Sequence, residues 1–244
     1  MSDLESICAR VPADVWRQVS KSGSDMKWRS WWNLRWYTDD GHKIDGFRPQ
    51  SIRNVEHREI PYKRSPFGPS GMNRFGLPSG NVAYFGVDHS TATCETMTRF
   101  RGQIASTSEE VLDYLRGASP SGETSKGYSE EYKLDIAAKV VDLRRNDNTL
   151  FKYIAEAGGW ADCEDFAQNV AYSKEEVVIP ETQAIAQAAF GAGFDGIWYR
   201  SVRTPRNLFI NSGECLVLFE GHEALLHPFG STSTMKNLTS RSSR

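Results

Sequence analysis

Apolar and polar positions divide the chain into short elements joined by turn residues. Val82-Ala83-Tyr84-Phe85-Gly86-Val87 is a nearly continuous apolar run, the pattern of a short, largely buried strand. Gly68, Pro69, Gly71, Pro78 and Gly80 predict turns on both sides of Arg74, because these residues set or tolerate turn dihedrals. After the strand, Asp88 or Ser90 can cap a helix carrying Ala92, Glu95, Met97 and Arg99. A strand leading directly into a helix brings both junctions to one rim of a sheet. Arg74, Tyr84 and Glu95 can therefore converge, offering a cation, an aromatic face and a carboxylate to one ligand.

Further along, TSEEVLDYL predicts a short helix with Thr107 and Glu110 at capping-box spacing. GASPSGETSKGYSEEY has the composition of a surface loop or insertion. KVVDL, from Lys139 to Leu143, predicts a strand, and Asn148 to Ala157 a helix stopped by Gly158 and Gly159. Residues 160–180 carry no assignable pattern. Thr182 to Phe190 reads as a buried helix ending at Gly191 and Gly193. Gly196 to Tyr199 and Cys215 to Phe219 are two more strands, with Ser201 and Arg203 just past the end of the first, where α/β architectures commonly place ligand groups. The fold class expected is α/β (α+β), a compact mixed sheet with flanking helices.

The first 55 residues differ from the rest. Four of the seven tryptophans fall in KWRSWWNLRWY. Rings interleaved with Arg and Lys suit a stacking platform for single-stranded nucleic acid. Trp28, Trp32 and Trp36 also recur at helical spacing, which suits packing onto the main domain or a partner. Packing is favoured, because the chain carries a net charge of -2 and phosphate binding depends strongly on charge. Asp39-Asp40-Gly41-His42 reads as a turn. Between Ile52 and Pro69 the chain is basic, and Arg64 is the arginine best placed to reach an anionic ligand at the central stretch.

Composition narrows the classes. With 39% hydrophobic and 25% charged residues over 244 positions, this is an ordinary globular chain long enough for a sizeable core. No run approaches the roughly 20 apolar residues of a membrane span, and the N-terminus has no secretory pattern. The expected location is cytoplasmic, which leaves signal-independent export of an effector open. Cys8, Cys94, Cys163 and Cys215 form no Cys-x-x-Cys pair and read as reduced, mostly buried thiols. No Gly-x-Gly-x-x-Gly, P-loop, His-Glu-x-x-His or Gly-x-Ser-x-Gly occurs.

Three stretches in order carry a resemblance. They are Asn73-Arg74-Phe75-Gly76, then Val82-Ala83-Tyr84-Phe85 with Thr91-Ala92-Thr93-Cys94-Glu95, then Gly193 through Arg203 (GFDGIWYRSVR). Over about residues 60 to 220 the chain resembles the RES domain family, although Gly76 stands where family members often carry Asn or Ser. The resemblance implies a fold similar to that of ADP-ribosyltransferases, and NAD as substrate without a metal. It also implies a role as a growth-inhibiting toxin whose partner is an Xre-like helix-turn-helix antitoxin or another immunity protein. Direct nucleic-acid binding is not expected. By the same resemblance the catalytic residues are Arg74, Tyr84 and Glu95, and the NAD-binding set is Arg64, Arg74, Tyr84, Ser201 and Arg203. The implied domains are an extension over 1–55, a RES-like catalytic domain over 56–229 and a disordered tail over 230–244.

The residue types suit that chemistry. Nicotinamide leaves a cationic pyridinium as a neutral molecule, so the leaving group needs no general acid, unlike ordinary glycoside hydrolysis. Arg74 suits phosphate, Tyr84 suits ring stacking, and Glu95 suits the developing positive charge on the ribose. Three functions remain open on this reading: NAD glycohydrolase or phosphorylase, ADP-ribosyltransferase, and a non-enzymatic binding module built on the tryptophan-rich region.

Overall fold

The computed structural model describes residues 4–19, 27–30, 35–37, 42–45, 48–51, 67–70, 73–87, 91–92, 95, 126–128, 131–135, 137–173, 178–202, 213–222 and 225–230. The architecture is α/β. Strands β1 (Lys27–Ser30), β6 (Asn81–Gly86), β8 (Glu131–Leu134), β9 (Val140–Asp142), β10 (Gly196–Arg200), β11 (Glu214–Phe219) and β12 (Leu226–Gly230) form the main sheet in the order β12-β8-β1-β6-β11-β10-β9, and a two-residue β5 (Gly68–Pro69) also pairs with β6. β9 and β10 run parallel and the other described pairs run antiparallel, so the sheet is mixed. A second sheet has the order β4-β3-β2-β7, from β2 (Arg35–Tyr37), β3 (His42–Asp45), β4 (Arg48–Ser51) and β7 (Lys126–Tyr128).

Alternation along the central strands builds two cores. Tyr84, Val217 and Ile197 are cross-strand partners, and Tyr199 faces Cys215. These side chains share one face with Val82, Val141 and Phe219, since successive residues of a strand point to opposite sides. That face is covered by α1 (Leu4–Cys8), α2 (Thr149–Gly158), α3 (Cys163–Phe166) and α4 (Ile179–Gly191). Ala83, Phe85, Trp198, Leu216 and Leu218 form the opposite core with Trp28, Tyr132 and Leu134. Both sides of β6 are therefore dry, which explains its unbroken apolar run.

Several elements follow local chemistry closely. α2 starts where Asn148 Oδ1 accepts from the Phe151 N–H at 2.9 Å and stops at Gly158 and Gly159, as its sequence predicts. α4 starts earlier than expected, at Ile179, with Pro180 in its first turn, where a missing N–H is harmless. Cys8 and Cys215 are free and buried, and burial pushes the Cys8 thiol to about 12. Cys163 is free and half-buried, and Cys94 lies outside the described residues.

Three expectations are corrected. Trp28 and Trp36 lie in strands β1 and β2, not on a helix, and Trp32 lies outside the described residues. A spacing of four satisfies period two as well as period 3.6, so it cannot discriminate between strand and helix. The Ser- and Gly-rich piece expected to be a loop contains β7 and part of β8, and its Tyr132 ring packs edge-on against Phe85 at 5.6 Å. Gly68 and Pro69 sit in β5 rather than in a turn, a short edge position that tolerates proline. The helix expected at 107–115 and the loop arginines Arg64 and Arg203 lie outside the described residues.

Candidate active site

Strand β6 leads to a helical segment containing Thr91, Ala92 and Glu95. Gly86 lets that segment lie against the strand: a Cβ there would come 2.7 Å from the Ala92 backbone nitrogen. Thr91 Oγ1 accepts from the Gly213 N–H at 2.8 Å, and the Gly213 carbonyl accepts from the Ser201 N–H at 2.5 Å. The segment is thereby tied to the ends of β10 and β11. The Ser201 hydroxyl donates directly to Glu95 Oε1, and both residues are 7% exposed. A carboxylate at that depth needs donors from the protein, since little of it is open to water.

Arg74 is held by a loop with many restraints. The Phe75 backbone is left-handed (φ 54°), unusual for a bulky residue. Surrounding contacts hold it there: its N–H points at Thr182 Oγ1 at 3.4 Å, and its ring packs on Tyr199 with centroids 4.9 Å apart. Gln183 Nε2 donates to the Asn73 carbonyl at 3.3 Å, and the Tyr84 hydroxyl donates to the Arg74 carbonyl at 3.2 Å. Gly76 allows this close approach, because a Cβ there would lie 2.5 Å from the Tyr84 hydroxyl oxygen.

The Arg74 guanidinium points at the end of α3, where the chain continues as a π-helical turn over Ala167–Ala171. Nη1 donates to the Val170 and Ala171 carbonyls at 3.0 and 2.9 Å, and Nη2 donates to the Ser173 carbonyl. The last carbonyls of a helix lack intrahelical partners, and a cation there also answers the negative end of the helix dipole. Arg74 therefore fixes the turn that carries Tyr172.

Several of these groups act on Tyr199. Burial pushes its phenol well above the ordinary value; Cys215, Glu95 and Tyr84 push the same way, and Arg74 opposes them. Arg74, Tyr84 and Glu95 thus lie within electrostatic reach of one ring, and Ser201 joins them through Glu95. The RES domain model matches residues 48–232. The chain belongs to the RES domain family.

A chain of the crystal structure of the M. tuberculosis MbcT-MbcA toxin-antitoxin complex is similar at 14% identity and a TM-score of 0.42, with 95% of this chain and 91% of that one covered. No curated protein matches. Among the described residues no group of three or more His, Cys, Asp or Glu is arranged to hold a metal, and no helix is long and apolar enough to cross a membrane.

Several residues that frame the site escaped the reading of the sequence. Thr182 and Gln183 looked like ordinary positions of a buried helix, yet they hold the Arg74 loop. The signal was present, since two polar residues on the buried face of a helix need partners. The carbonyls that receive Arg74 carry no side-chain signal, so the turn itself is not legible in the sequence, although Asp162, which caps α3 by accepting from the Asp165 N–H at 2.9 Å, is a local one. In this RES chain the turn also carries Tyr172, whose ring lies under the Arg200 guanidinium, 4.8 Å from Cζ to the ring centroid.

Proposed function

We propose that this RES chain is an NAD-consuming enzyme that cleaves the bond between nicotinamide and ribose, and that it acts as a growth-inhibiting toxin restrained by an antitoxin. The observation that carries this reading is the buried Glu95–Ser201 pair beside Tyr84 and Tyr199. Glu95 supplies negative charge where the ribose becomes oxocarbenium-like, in a place where screening by water is weak. Nicotinamide departs with the electron pair of the broken C–N bond, so it needs no proton. Water or phosphate then bonds to the anomeric carbon; with water the surplus proton passes to solvent. Ser201 holds the carboxylate in position, Tyr84 supports the Arg74 loop from the core through its hydroxyl, and Arg74 fixes the neighbouring turn and contributes positive charge. The partner that fits the family is an Xre-like antitoxin.

The test is incubation of the pure chain and its Glu95→Gln variant with NAD, with and without phosphate, following free nicotinamide and ADP-ribose products. The expected result is release by the native chain and a loss of at least about 100-fold in the variant, the scale on which a preorganised electrostatic group acts. Dependence on phosphate would identify phosphorolysis. Release only after a protein acceptor is added would identify ADP-ribosyl transfer, and equal release by both chains would overturn the role of Glu95.

A further inference from the structure

Among the described residues, the rim formed by the ends of β9 and β10 carries three arginines, and they are not alike. Arg144 is paired with Asp142 through two bonds of 2.8 and 2.7 Å and stacks on Trp198 at 3.9 Å. Arg145 is paired with Asp147 through two bonds of 2.9 and 2.8 Å. Arg200, the residue before Ser201, is half-buried and has no carboxylate partner among the described residues. Its guanidinium lies over the Tyr172 ring, and Nη2 donates to Asn146 Oδ1 at 2.9 Å. Asn146 is itself oriented, since its Nδ2 donates to both carboxylate oxygens of Glu164 at 2.7 and 2.9 Å.

A guanidinium has five N–H donors in a fixed fork. One of those on Arg200 serves Asn146, and no other hydrogen bond or ion pair joins that side chain to a described residue. The stack and the amide hold the fork in place without neutralising it. Asp142 also acts on Tyr172, but its charge is committed to Arg144. Arg74 shares the field of Tyr172, but its Nη1 and Nη2 donate to the carbonyls of Val170, Ala171 and Ser173. Of the three described arginines at this rim, the one prearranged for an outside anion is therefore Arg200.

Resting on the NAD reading, the geometry points to Arg200, stacked on Tyr172 and braced by Asn146, as the residue that binds the pyrophosphate of NAD, with Arg74 positioning the turn beneath it. Pyrophosphate suits a planar fork because adjacent oxygens accept parallel N–H bonds. Arg200 stacks on Tyr172, carried by the turn that Arg74 holds, so the clamp lies beside the Arg74 loop of the proposed site.

The experiment is a binding titration of ADP-ribose and of adenosine, which lacks the pyrophosphate, against the native chain and the Arg200→Met, Arg200→Lys and Arg145→Met variants. Loss of a charge-assisted fork weakens binding about 10- to 100-fold. Arg200→Met is expected to lose that much affinity for ADP-ribose while keeping its affinity for adenosine. Arg200→Lys should fall in between, and Arg145→Met should match the native chain. Thermal unfolding of each variant establishes that it is folded. Unchanged ADP-ribose affinity in folded Arg200→Met, an equal loss for adenosine, or no ADP-ribose binding by the native chain would each overturn the assignment. A native chain that binds ADP-ribose through Arg200 yet releases no nicotinamide from NAD would refute the cleavage reading and leave this one standing.

Discussion

Removing the Ser201 hydroxyl takes one donor from a carboxylate that is largely buried. Hydrogen bonds to charged groups contribute about 1.5–3 kcal/mol, so Ser201→Ala should lower stability by an amount in that range, measured as a shift in the urea midpoint. The same change should reduce the rate of NAD cleavage, because the Glu95 carboxylate loses a contact that sets its orientation. A Ser201→Thr variant keeps the hydroxyl and should recover more of the stability than Ser201→Cys, whose thiol is a weak donor. If Ser201→Ala is as stable and as active as the native chain, the pair has no part in the site. Glu95 and Ser201 were both picked out from the sequence through their places in ordered motifs. That they bond to each other was not legible, since 106 positions separate them.

At the scale of elements, Arg74 joins two pieces that the sequence does not connect. Its guanidinium donates to three carbonyls around the end of α3, and lysine, a single ammonium on a flexible stem, cannot reproduce that planar fork. Arg74→Lys should therefore leave the central strands intact while loosening the π-helical turn. Amide hydrogen exchange should accelerate across 167–173 and stay unchanged in β10 and β11, because local openings follow cooperative units. Uniform acceleration across the chain would instead mark a general loss of stability, and no change would show that the turn holds itself. The elements read correctly from the sequence are those whose signals are local. Asn148 and Gly159 delimit α2, and apolar runs mark β6, β10 and β11. The failures also have physical causes: a four-residue tryptophan spacing fits both periods, and a turn defined by carbonyl acceptors leaves no pattern in its side chains.

For the molecule as a whole, the decisive element lies before the family match begins. That match starts at residue 48, yet β1 pairs with β6 on one side and β8 on the other. Trp28, with no exposed surface, packs edge-on against Trp198 with ring centroids 5.0 Å apart. The described N-terminal residues contribute on the other face too, where Leu4, Ile7 and Cys8 of α1 join the helical core. Truncating a buried aromatic to alanine costs about 3–5 kcal/mol, a large share of the roughly 5–15 kcal/mol that holds a domain folded. Trp28→Ala should accordingly lower the unfolding midpoint sharply. A chain begun at residue 48 should do worse, because it leaves the main-chain groups of β6 and β8 without the strand between them and bares the core beneath. The measurement is circular dichroism and gel filtration of the purified shortened chain, with the native chain alongside. Aggregation or loss of the cooperative thermal transition is the expected outcome. A monomeric shortened chain that melts cooperatively near the native temperature would mean that β1 is an attachment to a domain complete without it, and the tryptophan-rich stretch would then be available for a partner.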